Sequence, residues 1–235
     1  MNFFKNLIFK KFFYALIIFS VVVCLLLVFT SIYFKYTALY YLMWNLFLAW
    51  IPLVLSYILI SYLKRHAWSS WMGIFLTFLW LVFLPNSFYM ITDYIHLQIV
   101  PATAVLYFAI SFTGIIFNAI FLGFLSVYFI HQELKKRIRR IWADFYLVLI
   151  FLACGYAVYI GRILRWNTWD IVLNPGGLIF DISNQFIKLN DLSMATITTL
   201  MIFVFLLGLY SILYNGIRFL LIDLNKSKES KDGSA

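Results

Sequence analysis

The chain has 235 residues, of which 65% are apolar, 21% aromatic and only 11% charged, with a formal net charge of +9 and a mean hydropathy of +0.96. About a quarter of a soluble domain is charged, so this composition excludes a water-soluble fold. Long unbroken apolar stretches, in place of short alternating ones, exclude an outer-membrane barrel, and basic residues confined between those stretches argue against a nucleic-acid partner.

Six apolar stretches, at about 12–34, 38–63, 68–84, 104–130, 143–162 and 193–222, are each near the length that roughly 30 Å of hydrocarbon requires. The expected fold class is therefore all-α: a polytopic membrane bundle of six helices, forming one domain over residues 1–223. The polar remainder, 224–235, is expected to be a disordered cytoplasmic tail. Lys5, Lys10 and Lys11 before the first stretch imitate a secretory signal, but no small-residue cleavage site follows, so the stretch is read as a retained span. With alternate sides assigned, only Lys35, Arg162, Arg165 and Lys188 of the 18 basic residues fall opposite the termini. The positive-inside rule then predicts both termini in the cytoplasm.

Within the spans the polar residues are few. Asn45 sits beside Trp44 in the second, and Asn118 lies deep in the fourth, where an unpaired amide is costly and a partner on another helix is expected. Cys24 and Cys154 both fall within spans and read as packing residues. In the fifth span Ala153, Ala157 and Gly161 form an i, i+4 row of small residues that would let helices approach closely.

After the third span, Pro85 is expected to break the helix and start another over 85–98. Helical winding would place Asn86, Tyr89, Asp93 and His96 on one stripe within an arc of roughly 80°. An amide, a phenol, a carboxylate and an imidazole would then share a face. A second element begins at the end of the fifth span, where continued helix puts Arg162, Arg165, Trp166 and Trp169 on one face, with Asn167 and Asp170 adjacent. Arginines at the hydrocarbon boundary need partners, and Asp93 or Asp170 is expected within salt-bridge reach. Together with Asn45 these elements predict one polar pocket at the outer boundary. Farther on, Asn174-Pro175 can start a short helix, with apolar Leu178, Ile179, Ile182, Phe186 and Leu189 opposite Asp181, Asn184, Gln185 and Lys188. Too short to span, it is expected to lie flat in the interface and roof the pocket.

The stretches Trp44-Asn45-Leu46-Phe47-Leu48-Ala49-Trp50-Ile51-Pro52, Leu84 to Leu97 and Gly161 to Asp170 resemble signature stretches of a bacterial multi-pass family, domain of unknown function 1361. The resemblance runs from about residue 40 to 175. Members carry a Trp-Tyr-Asp-like element entering the next span, whereas this chain reads Pro101-Ala102-Thr103-Ala104-Val105-Leu106-Tyr107. The resemblance implies a multi-pass protein of the bacterial cytoplasmic membrane and no particular activity.

Two functions fit these residues. In the first, the polar cluster is structural or binds a lipid head group or a membrane-protein partner, with Asn45, Asn86, Tyr89, Arg162, Arg165, Trp166, Asn167 and Asp170 as the binding set. In the second, a membrane enzyme or carrier handles a phosphorylated or acylated substrate, with arginines gripping a phosphate and Asp93 and His96 serving as acid and base. No cofactor is expected, and no metal: one histidine with carboxylates is an indistinct zinc signature, and His66 and His131 fall on the opposite side.

Overall fold

Hydrocarbon offers no hydrogen-bond partner to the backbone, so a chain of this composition satisfies its amides within helices. The computed structural model describes the backbone of residues 7–187 and 189–232, and the side chains of these residues apart from 7–10, 172, 185–193 and 220–235. The elements are α1 (Leu7–Tyr33), α2 (Tyr41–Leu63), α3 (Trp71–Tyr89), a 3₁₀ helix (Met90–Ile99), α4 (Val105–Arg137), α5 (Arg140–Arg162), α6 (Asp170–Leu173), α7 (Pro175–Ile187) and α8 (Leu189–Asp232). Among the described residues there is no strand. Among the described residues six segments are long and apolar enough to cross a membrane: Lys11–Tyr33, Tyr41–Leu63, Trp71–Ile99, Val105–Arg137, Arg140–Arg162 and Met194–Phe219. The protein is thus an all-helical, multi-pass membrane protein.

Helix α4 is the centre of the bundle. It packs against α1, α2 and α3, and it buries Phe108, Phe112, Ile115, Ala119 and Leu122 completely. Helix α2 lies along α3 and α4, while α5 lies along α3 and α8, so α2 and α5 flank α3. Buried polar groups tie the helices together, as low-dielectric surroundings require. Asn118 Nδ2 on α4 donates to Ser20 Oγ on α1 at 2.6 Å, and Trp50 Nε1 on α2 donates to the same hydroxyl at 3.1 Å. Asn118 therefore has the interhelical role its position predicts.

Several local expectations are corrected. Pro85 does not break the third span: α3 runs through it to Tyr89, and the winding then tightens to 3₁₀. Membrane helices tolerate proline where packing against neighbouring helices supports the loosened turn, and α2 lies along α3 here, with Ser87 Oγ donating to the Ala49 carbonyl at 3.1 Å. The row of Ala153, Ala157 and Gly161 is not the seam of α5, since Ala153 is exposed. Close approach to α8 occurs at Gly155, where a methyl group would come within 2.6 Å of the Thr199 carbonyl oxygen. At the far end, α8 continues helical to Asp232 through most of the segment expected to be disordered. A nucleated helix adds one hydrogen bond per residue, so a long span can carry a polar continuation with it.

Candidate functional site

Helix α2 begins, and α3 and α5 end, at the same side of the bundle, and there Tyr41, Tyr89 and Arg162 converge. Helix α5 stops at Arg162. Ile163 N–H still donates to the Tyr159 carbonyl at 2.9 Å, then Arg165 takes a left-handed backbone, φ 62°, and Trp166 N–H reaches back to the Ile160 carbonyl at 3.4 Å. A left-handed residue after the last turn is a common way to close a helix, although glycine or asparagine usually holds that place.

Arg162 is the hub. Its Nη2 donates to Asp93 Oδ1 at 2.5 Å, its Nε donates to Thr92 Oγ1 at 2.7 Å, and its Nη1 lies 3.2 Å from His96 Nε2. The guanidinium carbon stands 4.4 Å above the centre of the Tyr89 ring, a cation–π contact. Gly161 permits it, because a methyl group there would come within 3.2 Å of that ring. Tight 3₁₀ winding, about three residues per turn, stacks Asp93 beneath His96 and leaves Thr92 beside them. Asp93 Oδ2 accepts from Asn45 Nδ2 at 3.3 Å, so both carboxylate oxygens are engaged. His96 Nε2 is 3.9 Å from Asp93 Oδ1, and the imidazole meets the Tyr41 ring edge-on.

These groups border a cavity of about 350 Å³. Exposure within the cluster is uneven in a way that decides its chemistry: the Asp93 side chain is 1% exposed, Arg162 17% and His96 32%. Asp93 is the most deeply buried of the three at the cavity wall, and the two nitrogen-rich groups are the more accessible. Tyr41 OH, also at the cavity, is buried and has no hydrogen-bond partner among the described residues. Asn86 Nδ2 donates to Thr168 Oγ1 at 3.0 Å, pinning the loop after α5 to α3. Trp166 Nε1 donates to Asp181 Oδ2 on α7 at 2.9 Å, and Leu178 of the same helix joins the cavity wall. The short helix therefore lies over the cavity as expected. Its polar side is not turned to solvent throughout: Asp181 points inward to Trp166, while Ile179 and Phe180 are exposed and Ile182 is half-buried. The expectations for Gln185, Phe186, Lys188 and Leu189 fall outside the residues whose side chains are described.

Most of the residues singled out from sequence meet here. Asn45, Asn86, Tyr89, Asp93, His96, Arg162, Trp166 and Asn167 line one cavity, and Asp93 pairs with Arg162. Arg165 and Asp170 do not join the pairing. Arg165 is exposed because the helix that would have turned it inward ends three residues earlier. Asp170 Oδ2 instead accepts from the Asn167 backbone N–H at 2.6 Å, closing the turn before α6. Sequence reasoning missed Thr92, Thr168 and the tyrosine at 41 as members of the site. Nothing in the spacing of Tyr41 marks it apart from the tyrosines and tryptophans that commonly sit at span ends in the membrane interface.

Residues 44–209 match the pattern of the family described as "Protein of unknown function (DUF1361)". No curated protein and no solved structure matches the chain.

Proposed function

The chain belongs to the DUF1361 family of proteins of unknown function, a membership that supplies no reaction, and from the geometry we propose that it binds a small anionic group, phosphate or carboxylate, at the membrane boundary. The observation that carries this reading is the asymmetry of the Asp93–Arg162 pair. With the acid buried and the guanidinium turned to the cavity, a ligand meets donors first: Arg162, His96, the Tyr41 hydroxyl and the second N–H of the Asn45 amide, while Asn86, whose two N–H groups go to Phe83 and Thr168, holds the wall in place. Arg162 uses one N–H on each terminal nitrogen, which leaves the others for a ligand's oxygens. Asp93 then acts as a positioning residue that fixes the fork. Turnover draws less support, because both Asp93 oxygens are committed and a general base needs a free one.

We infer further that the protein sits in the bacterial cytoplasmic membrane with both termini inside and the cavity outside, since in the order of the spans all but four of the 18 basic residues fall to the side of the termini. A cysteine introduced at position 137 should resist an impermeant thiol reagent in intact cells, and labelling there would reverse the orientation.

Binding is tested on the purified full chain by following thermal unfolding against inorganic phosphate and glycerol phosphate. Wild type should be stabilised in a concentration-dependent way. Arg162→Lys keeps the charge and the pairing to Asp93 but loses the planar fork, and should weaken that response several-fold. An identical response in Arg162→Lys, or none in wild type, would count against the reading.

A further inference from the structure

The cavity has a gradient along its depth. Helix α2 lends it Tyr41, Asn45 and Leu48, at helical spacing on one face; α3 lends Tyr89, Asn86 and Val82; α5 lends Arg162, Ile160 and Ala157. Read from the helix ends inward, each set passes from polar to apolar. From Tyr41 to Leu48 is seven residues, about 10 Å along a helix axis. The inner half of the cavity therefore lies within the apolar spans, where a purely water-borne anion has no use for it. Because α2 and α5 flank α3, the inner wall is a shallow trough across the face of α3 that Val82 and Pro85 floor. Trp44, which is exposed, stands at one side of it.

We infer that the ligand is an amphiphile bearing an anionic headgroup: a lipid whose phosphate or carboxylate meets Arg162, His96 and Tyr41 while the start of its chain lies in the trough formed by Leu48, Val82, Ala157 and Ile160. This rests on the anion-binding reading above and adds the chain and the route. The lipid enters sideways from the bilayer, since the roof of Trp166, Asp181 and Leu178 covers the water-facing side. A chain leaving bilayer hydrocarbon for an apolar trough gains no hydrophobic transfer energy. Selection accordingly falls on the headgroup, and the trough orients the chain. The gradient distinguishes this site from a simple anion pocket, which would be polar to its floor.

The experiment uses the full chain in phosphatidylcholine nanodiscs with a trace of phosphatidic acid carrying a diazirine on its acyl chain; phosphatidic acid presents a bare phosphate monoester. After photolysis, label is located by peptide mass spectrometry. Label is expected on the trough faces of α2, α3 and α5, suppressed by unlabelled phosphatidic acid several-fold more than by phosphatidylcholine. It should fall several-fold in Arg162→Lys, and also in Val82→Trp, which fills the trough floor. Circular dichroism and elution volume of each variant establish that it is folded. If label spreads evenly over lipid-facing residues such as Phe47 and Ile110 while glycerol phosphate still stabilises the protein through Arg162, the lipid inference is overturned and anion binding stands. If neither lipid nor free phosphate depends on Arg162, both fail.

Discussion

Each end of the bundle joins a histidine, a carboxylate and a basic side chain, and the two clusters are built inside out relative to one another. At the Arg162 end the carboxylate is buried and the histidine and arginine face a cavity. At the other end the histidine is buried: His131, 3% exposed, contacts Tyr210 OH through Nδ1 at 2.9 Å and Asp144 through Nε2 at 2.9 Å, and Asp144 itself is 48% exposed. Lys135 lies 3.1 Å from the same carboxylate and donates to Tyr214 OH at 3.0 Å. Both ring nitrogens of His131 are occupied by groups on α5 and α8, which makes it a rivet through three helices. The same residue types thus do different work according to which of them is sealed away. A cluster that closes on itself contributes stability, whereas one whose donors border a void can bind.

Removing a partner separates the two most sharply. Arg162→Gln leaves Asp93 as an uncompensated buried charge, which should destabilise the fold by about 3–5 kcal/mol. The double variant Asp93→Asn with Arg162→Gln should recover most of that loss in thermal unfolding while anion binding stays absent. A double variant as unstable as the single one would show that the pair is not the reason.

At the opposite end, His131→Phe keeps an aromatic ring but strands the Tyr210 hydroxyl, and should cost about 1–3 kcal/mol of stability. Its response to phosphate should match wild type. A changed response would mean that the two ends are coupled. Gly161→Ala is expected to act more weakly on stability, by up to about 1 kcal/mol, because the Tyr89 ring can shift by a few tenths of an ångström. That shift moves the ring that carries Arg162, so the response to phosphate should fall by more than the stability loss alone explains. The smallest effect belongs to Arg165→Ala, within about 0.5 kcal/mol and without change in binding, since this arginine is exposed and lies outside the pairing. A large loss of binding there would return Arg165 to the site.

Some of this was settled by the order of residues alone. Six spans follow from apolar run lengths, because a bilayer of fixed thickness leaves little freedom in how such runs are used. The grouping of Asp93 with His96, and their encounter with Arg162, follows from short helical spacing at adjacent span ends and from the cost of leaving a guanidinium unpaired. Tertiary structure decided the rest. Whether α5 would carry on to Arg165 depended on a left-handed backbone at a residue whose type does not advertise it. Which small residue of α5 formed the seam depended on where α8 crosses, and the choice fell on Gly155 over Ala153. Thr92, Thr168 and Tyr41 joined the site through 3₁₀ winding, a loop pinned by Asn86 and a span start from another part of the chain. Local periodicity carries the rotation of a side chain about its own helix axis. It carries nothing of the distance between helices, and a binding cavity is made of that distance.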